Sequence, residues 1–284
     1  MDESISQPES STVPKPWNME TFGAYLRRTS RMPLLIVAGL LGLVLVGTLL
    51  GSPDILSFIT LSGTYLPYLI VIPVIFLFQR RSEYRKMFWI EYAKYRGWSY
   101  LPSGWADAES GMMFHQGNYR VLTDVVSGDI LNHPLTLCNY KFRIGSGKNA
   151  QIYAYTVAIV TFTGKFPHVY VDRLDHGYGL RVGRALPLPT EVAKQFKICS
   201  PPEYEIEALA IFDPEILAHL LDLKFNYDME LIDQKLYIFM PQIIDSKEAL
   251  ENKLAQAEEL LKHMIPHLDH TSYQRIPNMS DRLG

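Results

Sequence analysis

The chain has 284 residues, of which 48% are hydrophobic and 20% are charged, and its 27 basic and 30 acidic side chains give a formal net charge of -3. The 17 Tyr, 13 Phe and 4 Trp exclude wholesale disorder, and the 2 Cys exclude a disulfide scaffold. A partnership with nucleic acid is not expected, because the chain lacks the concentrated basic footprint that phosphates require.

The N-terminal third contains a polar tail followed by two apolar runs. Residues 1–32 are poor in aliphatic side chains and are predicted to form a disordered tail. Pro33–Leu50 and Ile55–Phe78 contain no charged residue, and at about 1.5 Å per residue each approaches or exceeds the roughly 30 Å hydrocarbon core of a bilayer. Gly51–Asp54 between them permits only a tight reversal, so the pattern predicts a transmembrane helical hairpin.

Basic residues flank both apolar runs, whereas the connecting loop has none. By the positive-inside rule, this asymmetry predicts a two-pass protein of the plasma (inner) membrane with both termini in the cytoplasm. The alternative interpretation is a buried helical hairpin of a soluble domain.

The segment after the second run, Ser82–Gly97, mixes basic and aromatic residues and is predicted to be a helix that ends at Gly97. Its residues and the two arginines before it are expected to contact the lipid bilayer at the membrane interface. The interface set is Arg80, Arg81, Arg85, Lys86 and Trp89. Packing of the apolar face of this helix on the following domain remains an equal alternative.

From Trp98 onward, short β-prone runs replace the helical pattern. Turns rich in Gly, Asn and Pro separate the runs. The predicted strands are Tyr119–Val126, Leu135–Ile144, Gln151–Phe162, His168–Leu174 and Tyr204–Phe212. Gln151–Phe162 is apolar on both faces, which is typical of a central strand.

The C-terminal part predicts a helix, a hairpin and a second helix. Asp213 is placed to cap a short helix that begins with Pro214, and Asp233-Gln234 is predicted to turn a β-hairpin. Asp245 and Glu248 have the spacing of a capping box for a last helix that stops at Pro266.

The predicted fold is therefore α+β, an N-terminal transmembrane helical hairpin followed by a strand-rich domain with a C-terminal helix. Its expected segments are a tail (1–32), the hairpin (33–79), a juxtamembrane helix (80–97), a cytoplasmic α+β domain (98–266) and a flexible tail (267–284).

One polar loop is a candidate for catalysis. Asp172, Asp175 and His176 bring two carboxylates and an imidazole together, which is sufficient for general acid-base chemistry. Polar residues in a turn are more often structural than catalytic, so this site is kept as an alternative. Gly145–Lys148 resembles a phosphate-binding loop but lacks the earlier glycine of a Walker motif, and a hairpin turn is favoured.

Metal and thiol chemistry have little support in the sequence. His263, His267 and His270 have helix-like spacing, but Pro266 interrupts the helix, so neither a metal nor a cofactor is predicted. Cys138 and Cys199 form no CxxC pair, which favours two buried free thiols over a zinc site.

The order of segments, with loose motifs at Trp89–Tyr100 and Pro201–Asp222, resembles that of uncharacterised bacterial membrane-anchored proteins of unknown function. This resemblance implies a membrane anchor and supplies no catalytic residues.

Three functions remain open. The first is a membrane-anchored, non-enzymatic interaction module that binds an unknown protein partner through an exposed sheet edge or aromatic loops. The second is a membrane-bound enzyme with its site around Asp172, Asp175 and His176. The third is an accessory subunit of a membrane complex, an oligomer in which helices pack through Gly39, Gly42 and Gly47.

Overall fold

The structure of the protein, a computed structural model, describes residues 19–51, 55–175, 179–180 and 182–271. The chain divides into two compact units. The helical unit spans Trp17–Glu91, and the sheet unit takes in the chain from Tyr92 onward. Each unit is described by itself.

Two long helices make up the helical unit. Helix α1 spans Phe22–Gly51, and helix α2, which spans Ile55–Arg96, contributes its first part. The start of α1 is attached to α2 by two buried tyrosines, Tyr25 and Tyr84, whose ring centroids are 5.4 Å apart. Their hydroxyls donate hydrogen bonds to Glu83 Oε2 at 3.2 Å and to the carbonyl of Glu20 at 2.8 Å, respectively. The polar ends of both buried rings are therefore satisfied.

The predicted transmembrane hairpin is wrong. Among the residues that the structure describes, no helix combines the length and the apolarity that a membrane crossing needs. Helix α1 begins ahead of the first run and includes Arg27 and Arg28, and α2 continues beyond the second run through Arg80 and Glu83. Each apolar run is therefore part of a longer helix that also carries charged side chains. The predicted two-pass placement in the inner membrane required two membrane crossings and is also wrong.

The flanking segments also differ from the predictions. Residues 1–18 of the predicted tail lie outside the described residues, and from Phe22 the chain is already helix α1. The predicted juxtamembrane helix is the last part of α2, which ends at Arg96, as predicted. Gly97 follows with φ of +69°, a conformation that glycine adopts without steric cost and that commonly terminates helices.

The sheet unit is α+β and contains a seven-stranded antiparallel sheet in the order β1-β2-β3-β4-β6-β5, with β7 paired to β4. The strands are β1 (Ser99–Gly104), β2 (Asn118–Ile130), β3 (His133–Ile144), β4 (Gln151–Arg173), β5 (Arg184–Ala185), β6 (Phe196–Ser200) and β7 (Asp228–Pro241). The helices are α3 (Thr190–Ala193), α4 (Glu205–Ile211), α5 (Pro214–Asp222) and α6 (Lys247–Thr271).

Strand β4 organises the sheet, as predicted for Gln151–Phe162, and it is longer than expected because it includes the predicted strand from His168. Its first part pairs with β3 and its last part with β6, while β7 runs along both parts. Register shifts between Thr161 and Phe166 and between Phe166 and Val169 mark irregularities at its centre. Aromatic residues fill one side of the sheet, including Tyr140, Phe142, Tyr155, Tyr170, Tyr237 and Phe239.

Of the other predictions in the sheet unit, some are confirmed and some are wrong. The strands around Tyr119–Val126 and Leu135–Ile144 and the turn at Gly145–Lys148 are confirmed. The predicted strand Tyr204–Phe212 is wrong, because most of it is helix α4. The predicted hairpin at Asp233-Gln234 is also wrong, because β7 passes straight through it with a register irregularity at Asp233.

Candidate interaction surface

One side of strands β2, β3 and β4 faces away from the aromatic core. Because alternate residues of a strand share a face, Lys141 and Arg143 point opposite to the core residues Tyr140 and Phe142. The register places Lys141 beside Val121 of β2 and Ala154 of β4, and places Arg143 beside Ile152.

Large apolar side chains on this side are exposed. Trp105 is 85% exposed, Tyr119 is 71%, Ile152 is 70% and Val121 is 49%. We call the set formed by Trp105, Tyr119, Val121, Lys141, Arg143 and Ile152 the aromatic-basic face. A cluster of exposed apolar residues is more informative than the single ones that any surface carries.

A bulge in β2 positions Tyr119. The pairing of β2 with β3 shifts between Asn118 and Val121, and Tyr119 has φ of +52° at this shift. The Arg143 guanidinium carbon lies 3.9 Å from the centre of the Tyr119 ring, and Arg143 Nε donates a hydrogen bond to Asn118 Oδ1 at 3.1 Å. The arginine is therefore held in place by a cation-π contact and a hydrogen bond.

Trp105 is presented by a well-anchored connection between β1 and β2. It follows β1 with extended backbone (φ -106°, ψ 107°) and precedes a 3₁₀ turn at Ala106–Ala108. Since Gly104 pairs with Leu122 of the core, the next position, Trp105, belongs to the opposite face with Val121.

Buried polar contacts fix this connection to β4 and β7. His168 Nε2 lies 2.8 Å from Glu230 Oε1, which also accepts a hydrogen bond from the amide of Met112 at 2.8 Å. Nearby, Glu109 Oε2 is 2.7 Å from Lys235 Nζ and accepts from the hydroxyl of Tyr237 at 3.0 Å. These contacts satisfy the buried carboxylate of Glu230 and the half-buried carboxylate of Glu109, and they join the segment after Trp105 to β4 and β7.

An open groove of about 480 Å³ adjoins the face. It shares Ile152 and Ala154 with the rows described above, and its remaining lining comes from Tyr153, Tyr155, Asp175, Pro241, Gln242 and Ile243. The amide of Gln242 donates to the carbonyl of Ala154 at 2.9 Å, and the amide of Thr156 donates to the carbonyl of Gln242 at 3.0 Å. The backbone N–H and C=O groups of residues two apart on a strand point to the same edge of the strand. Those of Ile152 therefore point to the edge of β4 at which Ala154 and Thr156 bind Gln242. No strand of the described chain pairs with that edge at Ile152.

The residues predicted for catalysis have structural contacts where they are described. Asp175 is exposed and accepts hydrogen bonds from Arg173 Nε at 2.8 Å and Arg173 Nη2 at 3.3 Å. Asp172 is half-buried against Gly179, where a β-carbon would lie 2.6 Å from Asp172 Oδ2. His176 lies outside the described residues.

The five predicted interface residues all lie on α2. Arg80 Nη1 is 2.8 Å from Glu83 Oε2, and this hydrogen bond raises the pKa of Arg80. The Arg81 guanidinium carbon lies 6.0 Å from the centre of the Phe22 ring. Trp89 is fully buried rather than exposed. Arg85 and Lys86 lie on the same helix.

The prediction for the two cysteines is confirmed, whereas the helix that carries the three histidines is longer than predicted. Cys138 and Cys199 are free and buried, as predicted, and burial raises the pKa of each thiol. Helix α6 does not stop at Pro266 but continues to Thr271. The ring of His263 contacts the ring of His219 of α5. The side chain of His270 lies outside the described residues.

Comparisons with known proteins give little further information. No family model matches the chain, and no curated protein matches it. Among solved structures, the chain is similar to the mycobacterial trehalose monomycolate transport factor A, TtfA, with 15% identity and a TM-score of 0.44 over 63% of this chain and 93% of that chain. A similarity of this size supports no inference about the present chain.

Proposed function

We propose that the sheet unit is a non-enzymatic binding module, and that its aromatic-basic face engages an acidic, partly apolar segment of a partner protein. The observation that carries this proposal is the exposure of Trp105, Tyr119 and Ile152 beside two basic residues.

The apolar part of the face has the composition of a binding surface. Tyr, Trp and Arg are enriched among the residues that supply most of the binding energy at protein interfaces, and Tyr and Trp bury a large area with only two rotatable side-chain bonds. When a partner covers one such side chain, apolar surface is removed from water, which stabilises the complex by about 25 cal/mol per Å² of that surface. Trp105 and Ile152 retain most of that surface for a partner.

The charge of the face favours an acidic partner. In the paired rows that contain Val121 and Ile152, the charged residues are Lys141 and Arg143, and both are basic. Arg143 is already fixed by Tyr119 and Asn118, so less conformational entropy is lost when a carboxylate binds it.

The shape of the site favours an extended segment. The edge of β4 at Ile152 offers backbone hydrogen-bonding groups, and the adjoining groove has room for side chains of an added strand. Addition of a strand to an exposed sheet edge combines main-chain bonding with side-chain specificity in this way.

Peptide selection on the full-length chain tests this proposal. A random peptide library displayed on phage is expected to yield sequences that contain Asp or Glu together with aromatic or aliphatic residues. Binding of a selected peptide, measured by fluorescence anisotropy, should weaken at least about tenfold in the variants Trp105→Ser and Ile152→Ser, which corresponds to about 1.4 kcal/mol.

The matched control is Ile206→Ser. Ile206 is 82% exposed but lies on α4, outside the face, so this variant should bind the peptide as the natural chain does. All three replaced side chains are exposed, so the substitutions should leave the fold unchanged. The proposal fails if the library yields no peptides, or if the three variants bind a selected peptide equally.

A further inference from the structure

A group of metal-ligand side chains lies where α5 contacts α6, away from the aromatic-basic face. Glu215 and His219 are one turn apart on α5, and His263 lies on α6. One possible ligand atom from each of the three lies within 4.8 Å of the other two. Residues separated by four positions share a helix face, so α5 directs both of its side chains toward α6.

The two imidazoles are in direct contact. The ring centroids of His219 and His263 are 3.5 Å apart, and the ring planes are inclined by 26°. Both side chains are half-buried and Glu215 is exposed, so solvent and a dissolved ion can reach the group.

Neighbouring charges hold the surrounding side chains in place. Asp213 Oδ1 accepts hydrogen bonds from the amides of Glu215 and Ile216 at 2.9 and 3.0 Å, which fixes the first turn of α5. Glu259 Oε1 lies 3.7 Å from His263 Nε2, and Glu259 Oε2 is 3.1 Å from Lys262 Nζ.

We propose that Glu215, His219 and His263 bind one divalent transition-metal ion and that the ion links α5 to α6. Two imidazoles and one carboxylate form a ligand set that suits Zn²⁺, with water in the fourth position. Ligand atoms of a tetrahedral zinc site are about 3.3 Å apart, so small side-chain rotations bring this group to bonding distance.

Zinc titration of the full chain, after removal of metal with a chelator, tests the site. We expect one equivalent of Zn²⁺ to bind by calorimetry, and Co²⁺ to produce the visible absorption bands of a tetrahedral complex. At a free Zn²⁺ concentration of about 100 times Kd, the Tm should rise by roughly 5–10 °C, because the ion binds the folded chain only.

Variants assign the ligands. Zn²⁺ binding should weaken at least about tenfold in His219→Ala, His263→Ala and Glu215→Gln. Glu215 is exposed, so Glu215→Gln tests the site even if a histidine variant unfolds. The control His267→Ala removes a half-buried histidine of the same helix that pairs with Asp213 at 3.4 Å, and this variant should bind normally.

Three results would overturn the proposal. They are failure of the natural chain to bind Zn²⁺, unchanged binding in Glu215→Gln together with either folded histidine variant, and loss of binding in His267→Ala equal to that in His263→Ala.

Discussion

Two buried tyrosines on neighbouring strands differ in what their hydroxyl groups contact. Tyr170 of β4 and Tyr237 of β7 both lie in the aromatic core. The Tyr237 hydroxyl donates to Glu109 at 3.0 Å and lies 3.2 Å from Ser110 Oγ. The Tyr170 hydroxyl has no hydrogen-bond partner within the described part of the chain. A buried polar group without a partner lowers stability, whereas a paired one contributes to it.

The two phenylalanine variants should therefore have opposite effects on the free energy of unfolding. Tyr170→Phe should leave it unchanged or raise it by up to about 1 kcal/mol, and Tyr237→Phe should lower it by about 1–3 kcal/mol. Guanidinium unfolding followed by circular dichroism measures both. Equal destabilisation by the two substitutions would contradict the assignment of hydroxyl partners.

Contacts between side chains that are far apart in the sequence could not be predicted from it. Asp228 and Glu230 alternate with apolar neighbours in the sequence, yet both carboxylates are fully buried. Asp228 accepts from the amide of Arg173 at 2.8 Å, and Glu230 pairs with His168. Their partners lie more than 50 positions away along the chain. The group formed by Glu215, His219 and His263 could not be predicted for the same reason, because His219 and His263 lie on different helices.

Capping residues in the sequence predicted where some of the helices begin. Asp213 caps α5 as its position before Pro214 indicated. The last helix begins one residue later than the capping box at Asp245 suggested, and the Ser246 hydroxyl accepts from the amide of Ala249 at 3.3 Å. Pro266 does not stop α6, since the tertiary contacts of Leu268, which is fully buried, favour another turn.

Helix α4 shows how a pattern of alternation can mislead. Glu205 and Glu207 alternate with apolar residues, which is typical of a strand. The buried residues Ala208, Ile211 and Phe212 are instead spaced as on one face of a helix. Two acidic residues in the first turn, which favour a helix N-terminus, were the signal that the strand prediction overlooked.

Removal of the α5 cap should have a measurable cost. Asp213→Ala loses the acceptor for two amides and should lower the free energy of unfolding by about 1 kcal/mol. Asp213→Asn retains a side-chain acceptor and should cost less. The partly exposed contact of Asp213 with His267 adds little. Urea unfolding compares the variants, and an equal loss in both would show that the cap is not the cause.

Several acidic groups of the whole molecule are held in their neutral form by burial. Burial raises the pKa of Tyr92 and of Tyr227 to about 12, and it raises the pKa values of Tyr170, Tyr237 and Cys138 as well. The unfolded chain loses these protons at the ordinary values, near pH 8.5 for Cys and pH 10 for Tyr.

Stability should therefore decline in alkali. The contribution of these groups is fully present below their unfolded pKa values and is lost as the pH rises toward the folded values. The free energy of unfolding, measured by guanidinium titration, should be steady from about pH 7 to 8 and should fall steeply above about pH 9. A flat profile to pH 11 would contradict the burial of these groups.

At the scale of the molecule, the sequence predicted the central position of Gln151–Phe162 and the strands β2 and β3, since period-2 alternation is a local property, but it did not predict β1, β5 or β6. It did not predict the pairing of β7 along all of β4, because pairing depends on contacts between distant segments. Length and apolarity of two runs suggested membrane spans, but neither reports how far the helices extend into charged sequence. The sequence suggested binding through an exposed sheet edge or aromatic loops, and it did not identify the residues of the aromatic-basic face.

A reciprocal charge exchange tests whether the aromatic-basic face recognises an acidic peptide. The measurement is the Kd of a selected acidic peptide, and of the same peptide with Lys in place of Asp and Glu, for the natural chain and for the double variant Lys141→Glu/Arg143→Glu. We expect the acidic peptide to bind the double variant at least about tenfold more weakly, and the basic peptide to prefer the double variant. The same Kd for both chains with either peptide would contradict the claim.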